Sequence, residues 1–236
     1  MTRRTTCELK RMAREFLTGN FAVSMAAMLT AALLPAAVLG PFTVGITMEF
    51  NFAMATYLAA AFIVEVLGQL LVAGVIRIHL LLAKKQQLSY KELLWPFFNH
   101  PDRFLLAALL LFGILILPAV PAGICMFYLA EKTTSGSIFI AAVFIAVVIA
   151  ELYIILTFDL IYPLYIDRPE LSVMDGFRMS YTLMRGNKKR LLQLHLSFIG
   201  WQILGICSIG IGMLWIVPYI RQTNANFYLD LTEQFK

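Results

Sequence analysis

Thr5-Thr6-Cys7-Glu8-Leu9-Lys10-Arg11-Met12-Ala13-Arg14-Glu15-Phe16-Leu17-Thr18-Gly19-Asn20 runs directly into twenty uncharged residues, Phe21 to Gly40. Thr5 and Glu8 stand at capping-box spacing: the hydroxyl can accept from an orphan amide of the first helical turn while the acid reaches back. Leu9, Met12, Ala13, Phe16 and Leu17 then recur at the i, i+3, i+4, i+7, i+8 interval of one helical face. Gly19-Asn20 tolerates the left-handed backbone that stops a helix. The run that follows is long enough in residues to cross about 30 Å of hydrocarbon. The spacing therefore predicts a short amphipathic helix on a membrane surface, followed by a crossing.

The same grammar returns twice. Ser89-x-x-Glu92 opens a segment closed by Asn99, and Ser172-x-x-Asp175 opens one closed by Gly186-Asn187. Apolar segments run from Phe21 to Gly40, Ala53 to Ala83, Phe104 to Ala130 and Ser137 to Tyr165. A fifth block, Leu191 to about Leu229, is too long for one crossing and splits at the Gly210-Ile211-Gly212 turn. The expected fold is an all-α integral membrane protein of one domain, with six transmembrane helices in three hairpins and amphipathic interfacial helices on the cytoplasmic side. The pseudo-repeats cover about 5–83, 89–165 and 172–230.

Composition agrees. Hydrophobic residues make up 60% of the 236, charged residues only 14%, and mean hydropathy is +0.79, which excludes an ordinary soluble domain. Basic residues cluster beside the three caps: Arg3, Arg4, Lys10, Arg11 and Arg14; Lys84, Lys85, Lys91 and Arg103; Arg168, Arg178, Arg185, Lys188, Lys189 and Arg190. The opposite loops offer Lys132. The positive-inside rule then puts both termini in the cytoplasm, the chain being a multi-pass membrane protein. The net charge of +5 is read as attraction to an anionic leaflet, without the aromatic-basic groove that nucleic-acid binding requires. Phe21 to Gly40 is longer than a signal-peptide apolar region and is read as a retained crossing. Cys7, Cys125 and Cys207 lack paired spacing and are expected to be free thiols.

Two sets of residues are candidates for function. Arg11, Arg14, Arg178, Arg185, Lys188 and Lys189 would meet lipid phosphates from the interfacial helices. Their apolar faces would be Val173, Phe177, Tyr181 and Met184 in the third segment, and Leu93, Leu94, Phe97 and Phe98 in the shorter second one, which Pro96 breaks. The second set lies inside the apolar segments. Glu65 precedes Ser89 by 24 residues and Glu151 precedes Ser172 by 21, so both acids fall at one depth; Arg77 and Asp159 precede the same caps by 12 and 13. Arg221 joins this second layer, with Arg77 or Arg221 expected to compensate Asp159. Ionised groups in hydrocarbon cost a few kcal/mol and turn inward. They could form structural ion pairs, a polar cavity for a headgroup, or a proton relay; Gln69, Gln202, Asn224 and Asn226 add hydrogen-bonding capacity. His79, His100 and His195 are scattered, and no metal, cofactor or nucleophile motif is present.

Several stretches carry a family resemblance: Tyr162-x-x-Tyr165-Ile166-Asp167-x-Pro169-x-Leu171, Ser180-x-x-Leu183-Met184-x-Gly186, Leu196-Ser197-Phe198-Ile199-Gly200-Trp201, Gly210-Ile211-Gly212-x-Leu214-Trp215-x-x-Pro218-Tyr219 and Phe227-Tyr228-x-x-Leu231, with Leu9-Lys10-x-x-Ala13 and Gly19-Asn20. They resemble an uncharacterised bacterial family of polytopic membrane proteins, domain of unknown function nine-seventy-five, itself distantly similar to the membrane portion of some glycerophosphodiester phosphodiesterases. The resemblance implies a topology and a bacterial membrane location, and no active site. The expected function is non-enzymatic: an amphipathic ligand such as a phospholipid is bound or helped across through a cavity lined by Glu65, Arg77, Glu151, Asp159 and Arg221. The alternatives are a proton-coupled or ion-conducting transporter using Glu65 and Glu151, and a structural subunit docking another membrane protein or a second copy through Gly68 and Gly74.

Overall fold

The computed structural model describes residues 3–43, 52–129 and 134–232. Among these every regular element is a helix and none is a strand. Helix α1 (Thr6–Leu17) leads into α2 (Phe21–Leu39), and α3 (Phe52–Ala83) returns against it. A 3-10 turn, Tyr90–Leu94, and the short α4 (Trp95–Phe98) precede the α5 (Pro101–Leu129) and α6 (Thr134–Phe158) pair. Then come α7 (Ile161–Asp167), α8 (Val173–Met184), α9 (Lys188–Leu196), α10 (Ile199–Cys207) and α11 (Met213–Thr232). Lys132 and Ala130 lie outside the described residues.

Four segments are long and apolar enough to cross a membrane: Phe21–Thr43, Phe52–Ala83, Pro101–Cys125 and Ile138–Asp167. Within their most apolar windows no more than 28% of residues are buried, so their side chains face outward and need a hydrocarbon solvent. The last third adds no described helix of that kind. α9 and α10 have 9 residues each, and the 20-residue α11 carries Arg221, Gln222, Asn224, Asn226 and Asp230.

The ends of α3, α7 and α11 and the starts of α5 and α9 meet in one polar layer. Lys84 pairs with Asp167, which also accepts from the Tyr228 hydroxyl at 3.0 Å. Arg103 donates to the carbonyl of Pro169. Arg190 is bonded to Asp230 at 2.5 Å and to the Arg4 carbonyl at 2.5 Å, while Asp230 also takes the Arg4 amide at 3.3 Å. The beginning and end of the described chain are thereby tied together. A core of Leu80, Leu164, Met184, Leu194, Phe198 and Tyr228 seals this end.

The three capped segments differ from one another. Thr5 makes the full reciprocal box with Glu8, the Thr5 amide donating at 2.7 Å and the Thr5 hydroxyl oxygen accepting at 3.3 Å. Gly19 and Gly186 close α1 and α8 at φ of 84° and 83°, where a side chain would be strained. The buried face of α1, Leu9, Ala13 and Leu17, rests on α11 and α3 instead of on lipid. In α8 the buried residues include Phe177, Leu183 and Met184, and Tyr181 is turned outward. The second segment departs furthest from expectation. Ser89 accepts from the amide of Lys91, at 3.4 Å, because the Glu92 side chain is taken by Arg77. The resulting 3-10 turn buries Leu93 and Pro96 and leaves Leu94, Phe97 and Phe98 exposed.

Gly68 and Gly74, expected to offer a docking stripe, are spent within the chain. Gly68 faces Pro35 of α2, and a Cβ on Gly74 would sit 2.0 Å from the Leu93 carbonyl oxygen.

Candidate functional site

The site begins with a proline. Pro163 has no amide to offer the carbonyl of Asp159, four residues back, and its ring would collide with it. The helix accordingly stops at Phe158 and restarts at Ile161. Broken backbone at membrane depth is tolerated where it lines a cavity, and one lies here. It has a volume of about 220 Å³ and is walled by apolar side chains of α3, α5 and α6, among them Val72, Ile76, Leu111 and Ile155. Its polar lining comes from Asp159, Tyr162, His79, Arg221 and Asn224.

Asp159 and Arg221 face this space from opposite elements, the α6–α7 break and α11. No direct ion pair joins them, although Asp159 lies within the fields of Arg221 and His195. Arg221 also lines a second cavity of about 200 Å³ between α2 and α3, sharing Val72 with the first. His195 Nε2 is 3.3 Å from Asn224 Oδ1, so α9 is linked to the cavity through an amide.

Two hydrogen-bond chains leave the cavity. The Tyr162 hydroxyl donates to Gln69 Oε1 at 3.2 Å, and Gln69 Nε2 donates to Glu65 Oε1 at 2.8 Å. The other starts at His79, which is 1% exposed. Its Nε2 is 3.2 Å from Ser24 Oγ and its Nδ1 2.9 Å from Gln222 Oε1; Gln222 Nε2 donates to Asn226 Oδ1 at 3.4 Å, and Asn226 Nδ2 to the Leu9 carbonyl at 3.2 Å. A backbone carbonyl only accepts, so each amide orientation follows in turn and Gln222 presents an oxygen to His79. Neutral His79 then carries its proton on Nδ1 and accepts from Ser24 on Nε2.

The structure redistributes the residues expected to share this site. Asp159 and Arg221 are brought together at one cavity. Glu65 is exposed on α3 and reaches the cavity only through Gln69 and Tyr162. Glu151 is not among the lining residues. Arg77 is the clear correction: its Nε is 2.6 Å from Glu92 Oε2 and its guanidinium lies 3.9 Å from the Trp95 ring centroid. The acid that compensates it lies in the cap, fifteen residues along the chain, instead of at Asp159. Of the surface bases, Arg11, Arg14, Arg178, Arg185 and Lys189 are exposed, whereas Lys188 lies 3.4 Å from the centroid of Tyr153. Among the described residues no cluster of three metal-binding side chains forms.

The match to known families covers the whole of this arrangement. The chain belongs to the family described as protein of unknown function (DUF975), which matches residues 1–235. No curated protein and no solved structure matches it. Residue roles within this DUF975 member therefore rest on geometry. Ser24, His79, Gln222 and Tyr162 escaped the sequence reading because their partners come from other helices, 55 to 143 residues away. The only sequence signal was Pro163, four residues after an acid inside an apolar run.

Proposed function

We propose that this protein binds an amphipathic ligand, such as a phospholipid, in the cavity at the α6–α7 break and assists its movement through a bacterial cytoplasmic membrane. In this reading the chain crosses six times in three hairpins, α9 and α10 together making the fifth crossing and α11 the sixth. The polar layer that joins Arg4 to Asp230 faces the cytoplasm, as its basic residues require. The protein has no enzymatic role here; its work is to hold a headgroup below the interface.

The observation that carries the reading is the unpaired presence of Asp159 and Arg221 on one apolar-walled cavity. A charge set in hydrocarbon costs a few kcal/mol unless a polar partner meets it, and a ligand's polar head is such a partner for the half-buried Asp159 and for Arg221, which is exposed on the bundle surface. Asp159 lies eight residues before Asp167 and Arg221 nine before Asp230, placing the head roughly 12 Å inside the polar layer at 1.5 Å per helical residue. Ile155 lines the cavity while half exposed on the bundle surface, which gives acyl chains a way out to the hydrocarbon. The test is native mass spectrometry of detergent-purified protein. Wild type is expected to retain lipid, and Val72→Phe, which fills the shared wall of both cavities, to lose most of it; equal retention by the two would defeat the proposal.

A second reading, proton or ion conduction, draws on the Tyr162, Gln69 and Glu65 chain. It requires a pH-dependent flux in vesicles that Glu65→Gln abolishes.

A further inference from the structure

Granting that the cavity holds a headgroup, its charge count says which kind. Two lining residues have side chains that can take a full charge, the Asp159 carboxyl and the Arg221 guanidinium, one of each sign. His79 is bonded on both ring nitrogens as a neutral ring, and Arg77, which would have tipped the site toward anions, is spent on Glu92 and Trp95. A purely anionic head would satisfy Arg221 and leave Asp159 facing a like charge in a low-dielectric space; a purely cationic one would do the reverse. A molecule bearing both charges satisfies both walls and keeps the cavity neutral.

We propose that the cavity recognises a zwitterion in which a primary ammonium and a phosphate ester lie a few atoms apart, the phosphate on Arg221 and the ammonium on Asp159. The guanidinium offers a forked set of N–H donors that suits phosphate oxygens, and the carboxylate is an acceptor for N–H donors. The Tyr162 oxygen, whose proton goes to Gln69, can accept from the ammonium, and Asn224 Nδ2, whose Oδ1 faces His195, can donate to the phosphate. At about 220 Å³ the space falls below the roughly 300–1,000 Å³ of pockets that enclose drug-sized molecules, so it takes a small head and excludes the rest of a lipid. That chemistry is the head of phosphatidylethanolamine, and also of the soluble compound glycerophosphoethanolamine.

The experiment is competitive retention on the full-length wild-type protein in detergent. Phosphatidylethanolamine and phosphatidylglycerol of matched acyl chains are added in equal amounts, and bound lipid is read by native mass spectrometry. Wild type is expected to favour phosphatidylethanolamine by about tenfold. Asp159→Asn, which removes the ammonium partner and leaves Arg221, is expected to reverse the preference. Displacement by millimolar glycerophosphoethanolamine would assign the soluble source, and resistance to it the lipid, with the zwitterion assignment upheld in both cases. Equal retention of the two lipids by wild type, or a phosphatidylglycerol preference, overturns the inference while leaving the amphipath reading intact. Failure to retain any lipid overturns both. The wild-type comparison needs no variant to fold, so a misfolded Asp159→Asn protein does not rescue the idea.

Discussion

At the scale of single residues, the His79 chain is the feature with the sharpest energetic consequence. Gln222 sits between His79 Nδ1 and Asn226 Oδ1, and all three are buried. Gln222→Leu leaves a donor and an acceptor without partners, each orphan costing about 1–3 kcal/mol, so a loss of roughly 2–6 kcal/mol is expected. Ser24→Ala orphans only the Nε2 lone pair of His79 and is expected to cost about 1 kcal/mol. Thermal unfolding in detergent, compared at one protein concentration, reads both; a Gln222→Leu midpoint no lower than that of Ser24→Ala would show the chain does not bind α1 to α3 and α11. Little of this was legible in advance. A histidine with no polar neighbour at i+3 or i+4 looks isolated in sequence, because helical periodicity reports a residue's own face and says nothing of which other helix that face will meet. Asp159 and Arg221 were legible, since an ion inside an apolar run announces itself by cost alone. Their joint cavity required knowing that α11 lies beside the α6–α7 break.

At the scale of elements, the caps were the most readable part of the chain, and their differences are instructive. Thr5 and Glu8 form the reciprocal box because a glutamate at that position is long enough to return to the Thr5 amide. Asp175, one methylene shorter, meets the Ser172 hydroxyl at 2.5 Å instead. In the second segment the same spacing is overruled by Arg77, a tertiary contact that the spacing cannot reveal. Backbone and side-chain hydrogen bonds from Thr5 hold the Glu8 carboxyl below its usual range. The sign follows: a depressed folded-state pKa gives stability that is present above the unfolded carboxylate range and lost as pH falls through the folded value. Wild type is therefore expected to melt higher than Glu8→Gln at neutral pH, with the gap closing in acid. Thr5→Ala, which removes the cap at every pH, is expected to cost about 1 kcal/mol. A constant gap between wild type and Glu8→Gln from neutral pH down into acid would mean the charge of Glu8 is idle in α1.

At the scale of the whole molecule, the three cysteines make the proposed topology measurable without adding foreign groups. All are exposed free thiols. Cys7 belongs to α1 in the polar layer, beside the Arg4, Arg190 and Asp230 cluster. Cys125 lies 24 residues along α5 from Pro101, about 36 Å from the polar end at 1.5 Å per residue. Cys207 ends α10 at the turn before Met213, a full 20-residue α11 away from that end, about 30 Å. Four segments announce themselves by hydropathy, whereas α10 does not because it has only 9 residues, and α11 does not because its polar residues serve the cavity and the His79 chain. The fate of the last third is thus the part of the fold that charge and length alone leave open, and Cys207 reports on it. In intact cells a membrane-impermeant maleimide is expected to modify variants that retain only Cys125 or only Cys207, and to spare one retaining only Cys7 until the membrane is opened. Labelling of Cys207 together with Cys7, and apart from Cys125, would mean that α9 to α11 stay on the cytoplasmic side, that the chain crosses four times, and that Arg221 approaches the cavity from the water side.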